Sequence, residues 1–208
     1  MATLLERAIG VARLDVPTYE EIEADQNALG QAMTVVAIAS VANGIGSAAA
    51  QGGHGLGLIG GIIAAGIGWL VWTFTIYLIG TRLLPEANTK SDFNELLRVT
   101  GFAMAPGAAG ILGILPGIGG LVLAIVGLWQ IAAMVVGVRQ ALDYTSTGRA
   151  VAVCVIGFIA QMAAIALEAE AADEADSHEA KHTRVLLETN ARGAFALLKA
   201  SVKRAVTR

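Results

Sequence analysis

Few residues in this 208-residue chain have the type and spacing to do chemistry, and they are scattered. His178 and His182 stand four apart beside Asp176 and Glu179, a helical spacing that can bind a metal. In a strongly charged tail they read as solvated side chains, and no metal is expected. The one other histidine is His54, and the single cysteine is Cys154. One cysteine supports neither a disulfide framework nor a cysteine zinc site, so Cys154 reads as a small buried hydrophobe. No HExxH motif, Walker loop or GxSxG elbow occurs. Arg139, Asp143 and Arg149 are the only polar residues placed for an enzyme acting near a lipid headgroup plane, and they form no recognisable catalytic set. The expectation is a non-enzyme without cofactors.

The remaining sequence is built to position side chains in a bilayer. Hydrophobic residues make up 55% of the chain, charged residues only 15%, and mean hydropathy is +0.65. A soluble domain carries about a quarter charged residues. All 17 acidic and 14 basic residues fall outside the long apolar stretches. A charge at bilayer depth costs about 2.5–3.5 kcal/mol, so this sorting predicts membrane helices. The spans are 31–50, 56–80, two within the apolar block 99–138, and 150–167. A straight helix over that block would run to about 60 Å, twice the hydrocarbon thickness, so the chain must turn back. Gly113, Pro116, Gly117, Gly119 and Gly120 mark the turn. The third span is then short, and Pro106 interrupts it, because proline removes a backbone donor and frees a carbonyl. The expected fold is an all-α polytopic bundle of about five membrane helices with an amphipathic helix at each end. Its parts are an arm at 1–30, a membrane domain at 31–168 and an acidic-then-basic tail at 169–208.

Basic residues set the orientation. Arg7 and Arg13 lie in the arm, Arg82, Lys90 and Arg98 in the second gap, and Arg139 and Arg149 in the fourth. The first and third gaps hold none. This alternation predicts a cytoplasmic N-terminus in the cell membrane. Five spans put the tail outside, although its seven basic residues pull the other way. A cytoplasmic tail would require the third or fifth span to be re-entrant. No cleavable leader is expected, since an acidic segment precedes the first span.

In the arm, Thr3 with Glu6 forms a capping box, and Leu5, Ala8, Ile9 and Ala12 share one face opposite Glu6, Arg7 and Arg13. Asp15 and Pro17 end that helix. Thr18 with Glu21 reads as a second capping box, opening a helix able to run into the first span. Such an arm suits the bilayer interface or a docking partner. Within the spans, Asn43, Gln130 and Gln161 are the strongest polar groups and are expected to bond between helices. The spans contain no Asp, Glu, Lys or Arg, which counts against a proton-coupled transporter. Small-residue spacings recur at Gly44/Ala48, Gly57/Gly61, Gly61/Ala65 and Gly113/Gly117 and allow close helix pairing.

Gly101-Phe102-Ala103 followed by Pro106 resembles the glycine–aromatic–small motif and proline of the Yip (Ypt-interacting protein) domain family, in its shorter bacterial branch. Phe93-x-Glu95-Leu96-Leu97-Arg98-Val99, the Leu115-Pro116-Gly117-Ile118-Gly119 turn, and Val138-Arg139-Gln140-Ala141-Leu142-Asp143 leading to Arg149-Ala150 are also similar. The order of these elements and the span count agree with that family over residues 1–168. The Asp-Leu-Tyr-Gly-Pro motif of eukaryotic members is missing, as is their long N-terminus that engages Rab-type GTPases, so their trafficking role does not transfer. The resemblance implies a non-enzymatic protein acting in protein interaction or membrane organisation. Its expected partners are the bilayer and either other membrane proteins or further copies of the chain. A net charge of −3 gives no case for nucleic acid. The alternative is a small transporter or channel subunit with a cavity at the broken third span.

Overall fold

The computed structural model describes residues 2–50, 58–167 and 170. Residues 1–160 form one compact unit and Gln161 begins a second. The described residues are helical, with no strand. The helices are α1 (Leu4–Ala12), α2 (Val16–Ala24), α3 (Leu29–Ala50), α4 (Leu58–Leu78), α5 (Phe93–Phe102), α6 (Gly119–Ala141) and α7 (Thr147–Leu167). Five segments are long and apolar enough to cross a membrane: Gln26–Ala50, Ile63–Leu83, Phe93–Ile114, Gly119–Ala141 and Thr147–Leu167. The chain is a multi-pass membrane protein. His54, His178, His182 and Gly57 lie outside the described residues, as does the basic tail helix expected from the sequence.

The arm begins as expected and then departs. The Thr3 hydroxyl accepts from the Glu6 amide while the Glu6 carboxylate accepts from Thr3, closing the capping box on α1. Leu14 then turns the chain at φ 61°, a left-handed conformation. α2 starts at the Asp15 cap rather than at Thr18, with Pro17 in its first turn. The second capping box does not form: the Thr18 hydroxyl donates to Asp15, and the Glu21 carboxylate goes to Arg7. α2 does not run into the first span either. Asp25 ends it and caps a short 3-10 turn, Gln26–Ala28, ahead of α3.

The third membrane segment is longer than its apolar run suggests. α5 starts at Phe93, under a capping box made by Asp92 and Glu95. Arg98, counted in the sequence as part of a gap, is buried inside this helix. Pro106 falls in the first turn of a 3-10 stretch, Ala105–Ile114. Ten α-helical residues rise about 15 Å and ten 3-10 residues about 20 Å, which together match the roughly 30 Å hydrocarbon layer. This composite element runs parallel to α3. Gly101 packs on Ala32, Gly107 on Ala39 and Asn43, and Gly113 on Gly46. The turn to α6 follows at Leu115–Ile118, where Gly117 takes φ 79°, which its missing Cβ allows.

Candidate functional site

The chemistry-bearing side chains gather at one end of the bundle, where the arm meets the α4–α5 and α6–α7 connections. Arg7 is the hub of the arm. The sequence places it on the polar face of α1, yet it is only 2% exposed. Its guanidinium donates to Gln31 at 2.9 Å, Glu21 at 3.0 Å and Asp25 at 2.7 Å. Burying a guanidinium is tolerable only with such charge-assisted partners. The Arg7 bond holds the Asp25 carboxyl below the usual carboxylate range. Arg98 ties the arm to α5 by donating to the carbonyls of Ile22 and Glu23. These are last-turn carbonyls of α2, where a cation also complements the helix dipole. The buried Tyr19 hydroxyl bonds the Val11 and Ala133 carbonyls, and Trp129 Nε1 donates to Ala12, which fixes the arm to α6. Leu5 and Ile9 of α1 face outward, 65% and 42% exposed.

A polar pocket of about 250 Å³ opens beside the arm, lined by Glu20, Glu23, Ala24, Glu95, Gln140 and Asp143. Burial, with the charges of Asp143, Glu95 and Glu20 and against that of Arg98, raises the Glu23 carboxyl to about 7. Next to it the two connections lock together. Glu86 accepts from the Thr145 hydroxyl at 2.7 Å and its amide at 2.9 Å, and pairs with Arg149 at 3.5 Å. The Thr145 bonds hold the Glu86 carboxyl below its ordinary range. The π-helical turn Ile79–Leu83 ends α4. Tyr144 lies against it, its hydroxyl 2.9 Å from the Gly80 carbonyl and 2.8 Å from that of Leu84. Arg139 reaches over the α6–α7 connection to the carbonyls of Tyr144 at 3.3 Å and Thr145 at 3.5 Å.

Several of the residues singled out in the sequence pack between helices. A Cβ on Gly101 would lie 2.9 Å from Ala32 Cβ and 3.0 Å from Trp69 Cζ2. Beside it, Thr100 receives the Trp69 indole N–H at 3.1 Å and sits 2.9 Å from the Thr73 hydroxyl. Phe102 is fully buried in the core and Pro106 is buried under α3 and α6. Pro116 is exposed at the turn. A Cβ on Gly113 would lie 3.0 Å from the Gly46 backbone, and Gly46 leaves no room for a Cβ against the Gly110 carbonyl. Gly44 has open space around it, and Gly61 lies within α4. Of the three expected amides, Gln130 donates to Met104 Sδ at 3.6 Å, Asn43 packs against Gly107 and Gly110, and Gln161 makes no side-chain hydrogen bond among the described residues. The sequence reading missed Arg7, Arg98, Glu23 and Glu86. No spacing signal marks such a network, because its partners come from separate elements.

The element order, the composite third span and the Gly101–Phe102 packing come with a match over residues 15–167 to the family model for the Yip1 domain. The chain belongs to the Yip1 domain family. The Yip1 match begins at the Asp15 cap of α2, takes in all five membrane segments and ends with α7. No curated protein and no solved structure matches the chain.

Proposed function

We propose that this Yip1-domain protein is a non-enzymatic organiser of the cell membrane, acting through protein–protein contacts and through its arm at the leaflet surface. The arm carries this reading. Arg7, Arg98, Tyr19 and Trp129 fasten it to the bundle, so α1 presents Leu5 and Ile9 outward on a rigid support. An apolar helix face held rigidly beside membrane spans can wedge between headgroups or seat a partner helix. The basic residues around the arm and the second and fourth gaps support a cytoplasmic placement for this end. In this reading residues 1–30 are the acting arm, 31–168 the membrane scaffold, and 169–208 a separate tail. Gly101, Phe102, Pro106, Pro116, Gly117 and Arg139 shape the scaffold, while Gly57, Gly61 and Gly113 serve helix pairing.

The test is reconstitution of the full chain into liposomes at matched protein density, with vesicle diameter read by electron microscopy. Wild type should narrow the vesicles or assemble with itself or a partner. The paired change Leu5→Glu and Ile9→Glu should insert equally well and do neither. Unchanged vesicles with monomeric, partnerless wild type would overturn the reading. The alternative, a small transporter or channel subunit, draws on the Asn43 and Gln130 amides that face Gly107 in the 3-10 stretch. Close packing of Gly46 on Gly110 and Gly113 leaves little room for a path there. Solute flux altered by Pro106→Ala would favour it.

A further inference from the structure

On the side of α6 away from the arm, an apolar groove of about 230 Å³ lies between three membrane helices. Trp72 of α4, Met134 and Val135 of α6, and Cys154, Val155 and Phe158 of α7 line it. Val151 and Phe158 are seven helical rises apart, which gives the groove a length of about 10 Å. A helix with its side chains is about 10 Å across, as wide as the groove is long, so part of a slimmer hydrocarbon chain is the better match. The groove is not symmetric along the bundle. One turn beyond Val135 on α6 stands Arg139, half-buried, its guanidinium drawn over the α6–α7 connection that closes this end. Arg139 has carbonyl partners but no carboxylate partner among the described residues, whereas Glu86 already pairs with Arg149. Arg82, at the matching end of α4, is exposed and also lacks a carboxylate partner among the described residues.

A slot without charge, one helical turn from a guanidinium that has no carboxylate partner among the described residues, is complementary to a molecule with an apolar chain and an anionic head. The geometry points to a site for one anionic phospholipid, its acyl chain in the α4–α6–α7 groove and its phosphate on Arg139. Ring-edge and methyl surfaces of Phe158, Val155 and Trp72 take the chain, and the headgroup stays at the polar end with the two connections. The inference is independent of the role proposed for the arm.

Full-length protein, extracted in mild detergent and offered phosphatidylglycerol and phosphatidylcholine in equal amounts, tests it by native mass spectrometry. One retained lipid is expected, with phosphatidylglycerol favoured about fivefold, the effect of about one basic residue at an anionic surface. Arg139→Gln should abolish the preference, and Arg139→Lys should restore most of it. Val155→Trp, at an outward-facing position, should displace both lipids while leaving the fold intact by circular dichroism. No retained lipid, equal retention of the two lipids, or a preference that survives Arg139→Gln would overturn the assignment. So would a dimer that Val155→Trp disrupts, since a second copy would then occupy the groove.

Discussion

Glu23 sits where Glu20, Glu95 and Asp143 converge on one pocket, and only Arg98 offsets them. Its carboxyl is raised from 4.5 to about 7, chiefly by burial and then by those neighbours. The folded protein therefore binds more protons than the unfolded chain between those values. Stability is greatest near and below pH 4.5, as far as Glu23 is concerned, and falls as pH rises towards 7. The side chain is only half-buried, so after discounting for solvent screening the loss is roughly 1–2 kcal/mol. Thermal unfolding in detergent from pH 5 to 8 should show this decline in wild type, and Glu23→Gln should flatten it and be the more stable protein at pH 8. A wild-type profile that rises over this range and is unchanged by Glu23→Gln would contradict the assignment. None of this was visible from spacing. The carboxylates come from α2, α5 and the α6–α7 connection, far apart in sequence. Arg7 was hidden for the same reason: its partners Glu21 and Asp25 lie 14 and 18 residues away, across a turn made by Leu14.

At the scale of elements, close approach decides which glycines matter. α3 and the 3-10 stretch meet backbone to backbone, with Gly46 against Gly110 and Gly113. Small residues allow such contact in a membrane, where dispersion and weak polar contacts replace the hydrophobic drive. Gly46→Ala should force the two elements apart and cost about 1–3 kcal/mol. Gly44→Ala, with open space around it, should be neutral or slightly stabilising, since alanine is the better helix former. Thermal midpoints of the two variants in the same detergent check this, and equal destabilisation would refute the packing. The sequence showed that small residues were abundant but not which face turned inward. Its small-residue spacings included Gly44, two positions from the residue that makes the contact, as well as Gly113, which is part of it. The turn at Gly117 was legible because proline, clustered glycines and the length limit on the apolar block all point to one place. The start of the third span was not, because Arg98 read as a boundary charge when it is in fact satisfied by α2 carbonyls.

For the whole molecule, hydropathy alone revealed the five-helix plan, since the energetic penalty for misplaced charge is large and falls on every residue of a span. The alternation of basic residues put the second and fourth gaps on one side, and the contacts tie this to particular residues. Glu86 touches Thr145, so the α4–α5 and α6–α7 connections share one end, and the third segment runs beside α3 almost to its end. The third and fourth segments therefore run the length of the bundle and back, and the turn at Pro116 lies at the end opposite the two connections. Single cysteines in a Cys154→Ser background, at Asn88→Cys, Thr147→Cys and Pro116→Cys, test this directly with a membrane-impermeant thiol reagent applied to sealed vesicles of known orientation. Five full crossings predict that Asn88→Cys and Thr147→Cys label from the same side and Pro116→Cys only from the other. Labelling of all three from one side would mean that the third segment dips in and returns, and would contradict the five-crossing bundle.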